Sequence, residues 1–338
     1  TVDSALLYIN RTDGSWPAAT GISEPLQIEP LAGGFVELGA EDVVVYSAYG
    51  AKILSLQPSY ARPVLAVGGT HFAVYNRAGT ELTICSRTRT LYSQSFDAGI
   101  LLCAMSNNNS LAVVTESGRY AAQVQVFDPS LHLLYSWEMT QSAGTPIALD
   151  FSPDSRRFAA GMLSAREGQL SCSVYFMSMD ANAEGPVYTA DQGSMLLRLD
   201  WQSERRVMAV FDTYLAVLDP TTGTETTRYD YGGAALQSVA PGRRQTALLL
   251  TVRGGNNLVT LSETLTPMAE IPARQAFGVS ATDTDIYLLC PDAVECYGYD
   301  GVQNWVYSDL ASRPLAVVNA AKPLLLTGSR AEVLEGGS

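Results

Sequence analysis

A unit of about 40 residues recurs along this chain, and its clearest copy runs from Thr145 to Asp191. An apolar segment, Ile147-Ala-Leu-Asp-Phe151, meets the turn Ser152-Pro-Asp-Ser155. Arg157-Phe-Ala-Ala-Gly-Met-Leu163 follows, then a polar loop and Ser171-Cys-Ser-Val-Tyr-Phe176. A period of this length, built from short strands, predicts an all-β fold: a β-propeller in which each repeat is one four-stranded antiparallel blade. At about 42 residues per blade, the 338 residues make eight blades. Seven is the alternative, if the terminal segments pack outside the ring.

With strands lettered a to d from the innermost outward, alternation and turn signals place the blades at about 25–57, 63–96, 100–138, 146–190, 195–231, 234–272, 275–308 and 313–334. Residues 1–338 thus read as one propeller domain. The last blade supplies only three strands, Leu315-Ala-Val-Val318, Leu324-Leu-Leu-Thr327 and Ala331-Glu-Val-Leu334. The N-terminal Ala5-Leu-Leu-Tyr-Ile9 is expected to be the fourth, closing the ring and removing an exposed strand edge. Several third strands end on an aspartate, Asp128, Asp219 and Asp300. Aspartate starts such turns by accepting a backbone N–H two residues on. Because these aspartates belong to different blades, a shared calcium site is not expected.

The formal net charge of −13 argues against nucleic acid and anionic lipid surfaces as partners. Only Lys52 and Lys322 are lysines, so nearly every cation is an arginine with a planar five-donor fork. The five cysteines (Cys85, Cys103, Cys172, Cys290, Cys296) form no Cys-x-x-Cys pair, and only His71 and His132 are available beside them. A zinc site is therefore not expected. Cys290 and Cys296 lie on adjacent strands of one hairpin, which leaves a disulfide between them open. No run of about 18 apolar residues exists to span a membrane as a helix. The chain begins with Thr1 and has no signal peptide, so it is expected to be part of a longer product.

No nucleophile elbow, phosphate-binding glycine loop or metal-spaced cluster is present. Neither histidine has such a nucleophile near it. No catalytic residue, metal site or cofactor is assigned. One pattern points to binding. Five of the eight expected b–c loops contain arginine: Arg77, Arg119, Arg166, Arg253 and Arg330. The interblade segments add Arg62 and Arg313, and Tyr60, Tyr120 and Tyr231 are expected nearby. Such a rim suits carboxylate, phosphate or sulfate groups, which arginine binds bidentately. The plain alternative is that arginine is this protein's default exposed cation. A competing enzyme reading, a glycan hydrolase or lyase, would rest on Glu167, Glu116 and Asp191.

The segment Asp150-Phe-Ser-Pro-Asp-Ser-Arg-Arg-Phe-Ala159 resembles the Ser-Pro-Asp-Gly element of WD40-like propeller repeats, with Ser155 where glycine is usual. Quinone-cofactor propellers are similar in outline. Their recurring tryptophan docking motif is not matched by Trp16, Trp137, Trp201 and Trp305, which do not share one blade position. In blade order, in Tyr60-Ala-Arg-Pro63 and in Ser164-Ala-Arg-Glu-Gly168, the chain is similar to an uncharacterised family of bacterial propeller domains preceded by one transmembrane helix. The resemblance implies an extracytoplasmic domain, membrane-anchored through an N-terminal segment absent from this chain, and carries no activity with it. The expected function is a non-enzymatic binding or scaffold module for a protein partner or an anionic envelope glycan. A sensor domain of a transmembrane protein is a further alternative.

Overall fold

The computed structural model describes residues 2–10, 14–166, 168–181, 185–320 and 322–334, without the side chains of residues 9, 10 and 166. The strands form eight separate four-stranded antiparallel sheets. Seven sheets take four consecutive strands in chain order. Blade four, for example, is Thr145–Phe151, Arg157–Arg166, Gln169–Ser178 and Val187–Thr189. The eighth combines Pro314–Asn319, Pro323–Thr327 and Arg330–Val333 with a strand from the other end of the chain. The fold is an eight-bladed β-propeller, as the repeat predicts.

The closing strand is Ala18–Ala19, with Ala18 opposite Ala331 and Ala19 opposite Arg330. This corrects the expectation for Ala5–Ile9, because Val2–Asn10 is an α-helix. The segment Ala-Leu-Leu-Tyr is a continuous apolar run rich in helix formers, with Asp3 in the first turn. It lacks the polar alternation of a half-buried strand. A two-residue strand, by contrast, is too short to leave a periodic signal.

The chain divides into two compact units, residues 58–228 and residues 1–57 with 229–338. The first holds blades two to four and nearly all of blade five. The second holds blades six, seven, eight and one. Within each, strands b and c carry the core and strand d meets solvent. In blade one, Gly34–Leu38 and Val43–Ser47 are buried throughout, whereas Lys52–Leu56 is half-buried to exposed. Period-two alternation sends side chains to both sheet faces, and within a unit these faces pack on neighbouring blades. Ala112, Val114, Val124 and Val126 of blade three meet Phe158, Ala160 and Met162 of blade four. In the other unit, Phe35, Val44 and Tyr46 of blade one meet Val318, Leu324 and Leu326 of blade eight. Full burial of each Val, Leu, Phe or Met among them stabilises by roughly 1.5–3 kcal/mol.

The innermost strand of a blade has one edge without a ladder partner, so its backbone groups need other partners. Polar side chains of neighbouring blades supply some of them. Asp150 Oδ2 accepts the Trp201 N–H at 2.6 Å, joining blades four and five. Ser238 Oγ accepts the Val279 N–H at 3.2 Å, and Ser280 Oγ donates to the Val317 carbonyl at 2.8 Å. Asn109, in the a–b turn of blade three, accepts the N–H groups of Thr70 and His71 in blade two at 2.8 and 3.0 Å.

The Ser152-Pro-Asp-Ser155 turn is held by its own hydroxyl. Ser152 Oγ donates to Asp154 Oδ1 at 2.5 Å and accepts the Arg157 N–H at 2.9 Å. Blade three makes the same turn from Ser106-Asn-Asn-Asn-Ser110, with Ser106 Oγ donating to Asn108 Oδ1 and accepting the Ser110 N–H. Ser155 and Asn109 occupy the left-handed position of the two turns, at φ 60° and 67°. The c–d aspartates do what the sequence predicts. Asp128 accepts the Ser130 and His132 N–H groups, Asp219 that of Thr221, and Asp300 that of Val302.

All five cysteines are free thiols. Cys296 stands opposite Tyr287 in the hairpin ladder, while the Cys290 N–H bonds to Ala293. Ala293, the position facing Cys290, lies three positions from Cys296, an odd offset. The two side chains therefore leave opposite faces of the sheet and enter different clusters, which answers the disulfide question.

Candidate functional site

The predicted arginines fall on the b–c loops, the strand ends beside them and the interblade segments, and their partners differ. Arg62 and Arg77 come together in blade two, where the Arg77 N–H bonds the Arg62 carbonyl at 2.9 Å and both side chains are exposed. The Arg119 guanidinium lies over the Tyr120 ring at 5.3 Å. Arg253 is exposed in the two-residue turn between Val252 and Gly255. Arg313 stacks on Phe277 at 4.0 Å, and Arg330 is paired with Glu332 at 2.9 Å. Arg166 ends strand b of blade four, and its side chain lies outside the described residues. Tyr60 shares a hydrogen bond with Thr83 at 2.8 Å. Tyr231 is only 5% exposed and packs against Tyr229, so its ring is part of the core and not free to stack on a ligand.

Tyr120 lines a cleft between blades three and four whose volume is about 610 Å³, within the roughly 300–1,000 Å³ typical of ligand sites. Its polar lining is Ser117, Tyr120, Gln141, Ser142, Thr145 and Ser164. Every lining side chain is uncharged, so the cleft offers hydroxyls, an amide and one aromatic ring. The walls are preset. Ser117 Oγ accepts the N–H groups of Arg119 at 3.3 Å and Tyr120 at 3.1 Å, which folds the b–c loop back on itself. Gly144 has φ +95°, and a Cβ there would lie 2.3 Å from the Leu163 carbonyl oxygen. Only glycine lets the interblade link approach strand b this closely.

Of the acids considered for catalysis, Asp191 and Glu116 stand in different surroundings. Asp191 is gripped by Arg228, whose two terminal nitrogens reach both carboxylate oxygens. This pairing holds the Asp191 carboxyl below the usual carboxylate range. Arg228 also donates to Glu225 at 2.8 and 3.0 Å and lies over the Tyr214 ring at 4.0 Å. Tyr188 completes the network, donating to Glu225 at 2.8 Å. Sequence reasoning missed this network, because Asp191 and Arg228 are 37 positions apart. Glu116 lies in a different cleft, and Glu167 is outside the described residues. His132 Nδ1 is 3.0 Å from Asp128, and the His71 backbone is held by Asn109. Among the described residues, no group of three or more His, Cys, Asp or Glu side chains is placed to share a metal ion.

Eight four-stranded blades define a β-propeller, and solved structures share that fold. The computationally designed Ika8 protein matches with a TM-score of 0.70 at 12% identity, over 94% of this chain and 99% of that one. The C-terminal WD40 domain of Sif2 matches with a TM-score of 0.65 at 12% identity, over 94% and 99%. The Pan2 WD40 domain of Neurospora crassa gives 0.55 at 10% identity, over 80% and 88%. At these identities the likeness is one of fold. The chain belongs to a family of unknown function, DUF5711, whose model matches residues 16–261. No curated protein matches the sequence.

Proposed function

We propose that this propeller is a non-enzymatic binding scaffold, and that the blade three–four cleft is its recognition site for a peptide segment of a protein partner. The observation that carries this reading is the neutral, hydroxyl- and amide-lined cavity of about 610 Å³ beside the exposed b–c loop of blade three. Uncharged donors and acceptors with one aromatic wall suit backbone amides and small side chains. Loops on a rigid sheet scaffold present such groups in fixed positions. A second reading, an anionic envelope glycan, is favoured by Arg119 over Tyr120, a cation and a ring on one rim. Placement outside the cytoplasm, with an N-terminal membrane tether, is part of the proposal and is supported by the resemblance to bacterial propeller domains.

Thermal melting of the wild type, Ser164→Trp and Arg119→Glu against short peptides and acidic sugars tests the proposal, since a ligand specific to the folded state raises Tm. A peptide-induced rise lost in Ser164→Trp, which fills the cleft, supports the first reading. A sugar-induced rise lost in Arg119→Glu supports the second. A rise retained in both variants places recognition elsewhere and overturns the site.

A further inference from the structure

The b–c loop of blade three borders a second cleft, on its other side, and the chemistry there is opposite in kind. This cavity, between blades two and three, measures about 390 Å³ and is lined by Asp97 and Glu116 without any basic residue. Thr115 lines it too, and is only 4% exposed. Its hydroxyl makes no hydrogen bond among the described residues. The residue is buried yet lines the cavity, which leaves its hydroxyl to a ligand as a donor or acceptor. Neither carboxylate is in an ion pair among the described residues.

The rest of the lining adds acceptors. Gln94 and Gln123 already commit their amide nitrogens, to the Ser95 carbonyl at 3.3 Å and to Ser136 Oγ at 3.3 Å. Their carbonyl oxygens are left to accept, beside the amide of Gln125. Phe96 and Phe127 supply the apolar part, edge to face with centroids 6.0 Å apart. The frame is fixed before any ligand arrives. The Phe96 N–H bonds the Thr80 carbonyl at 2.9 Å, and the Glu116 N–H bonds the Gly99 carbonyl at 2.8 Å. Glu116 lies so close to this link that a Cβ on Gly99 would come within 3.0 Å of Oε2.

We propose that this cleft binds the side chain of an arginine on a partner peptide. A guanidinium brings five donors and no acceptor, the complement of a pocket with two carboxylates, spare carbonyl oxygens and a hydroxyl. Its planar face and aliphatic stem suit the two phenylalanine rings. An ammonium would satisfy fewer of these acceptors, and an anion would meet only repulsion.

The test is titration of acetyl-Gly-Arg-Gly-amide into isotope-labelled protein, with lysine and citrulline versions beside it. Saturable shifts centred on the Phe96, Thr115 and Gln125 amides are expected with arginine. Citrulline, which keeps the shape and loses the charge, should bind at least about tenfold more weakly. Glu116→Gln and Asp97→Asn should each weaken arginine binding several-fold. Both side chains are exposed, so Tm should stay within about a degree or two of the wild type. Equal binding of citrulline overturns the proposal. So do shifts spread over the acidic surface and unchanged by Glu116→Gln and Asp97→Asn, or no saturable shift at all.

Discussion

Single residues already separate what folding needs from what is left for function. Glu37, in strand b of blade one, is fully buried, and neither carboxylate oxygen has a hydrogen-bond partner among the described residues. Loss of hydration pushes its pKa from 4.5 to about 7. The folded state therefore binds a proton more tightly than the unfolded chain does. Its contribution to stability should be fully present below about pH 4.5, fall away as pH rises toward 7 and be absent above, a loss of order 3 kcal/mol. Glu37→Leu should flatten that part of the profile and raise stability at pH 8 by roughly 2–3 kcal/mol; denaturant titrations at pH 5 and 8 would show it, and an unchanged slope would refute it. The thiols follow the same physics. Burial raises Cys85, Cys290 and Cys296 to about 11. A disulfide-exchange reagent at pH 8 should label them only after unfolding. The burial of the thiols was legible in their apolar strand positions, but that of Glu37 was not, since a glutamate between Val36 and Leu38 carries no sign of which face it enters.

Turns and sheets show where sequence reading succeeds and where it stops. Ser152-Pro-Asp-Ser155 was legible because proline and aspartate announce a turn. Its twin in blade three was not, because Asn107-Asn-Asn109 replaces the motif while keeping the same hydroxyl at Ser106. Ser155→Val should cost at least about 2 kcal/mol, since a β-branched residue at φ 60° is strained and the contact of Ser155 Oγ with the Asn108 N–H is lost. Ser155→Gly should be nearly neutral, trading that bond for relief of strain. Chemical denaturation of the pair separates the two contributions. In blade five, Arg228→Met should cost about 2 kcal/mol by leaving Asp191, Glu225 and the Tyr188 hydroxyl without their shared donor, while Arg228→Lys should rescue little because one ammonium cannot serve two carboxylates bidentately. A full rescue by lysine would mean that charge alone matters there.

For the whole molecule, the period of about 40 residues yielded the architecture because each blade repeats the same burial problem. The closure did not show, because it depends on Ala18–Ala19, two small residues with no pattern of their own. Removing residues 1–24 should lower Tm by several degrees and promote association, since it strips the partner from Arg330–Val333 and uncovers a sheet edge beside Val318 and Leu324. An unchanged, monomeric truncation would show that the strand is dispensable. The candidate site was half legible. The loops carrying Arg77, Arg119 and Arg253 lie where the repeat put them, but partner choice is a matter of three dimensions. Arg313 and Arg330 are engaged with Phe277 and Glu332, and Tyr231 is buried.

The central claim, that the b–c face of blade three is a recognition surface, is tested most directly by selecting displayed random peptides on the intact domain and re-binding the winners to Ser164→Trp and Glu116→Gln. The account predicts that most selected peptides lose affinity for at least one variant by about tenfold or more, a difference of about 1.4 kcal/mol. Winners that bind both variants as tightly as the wild type would place recognition on another face and contradict it.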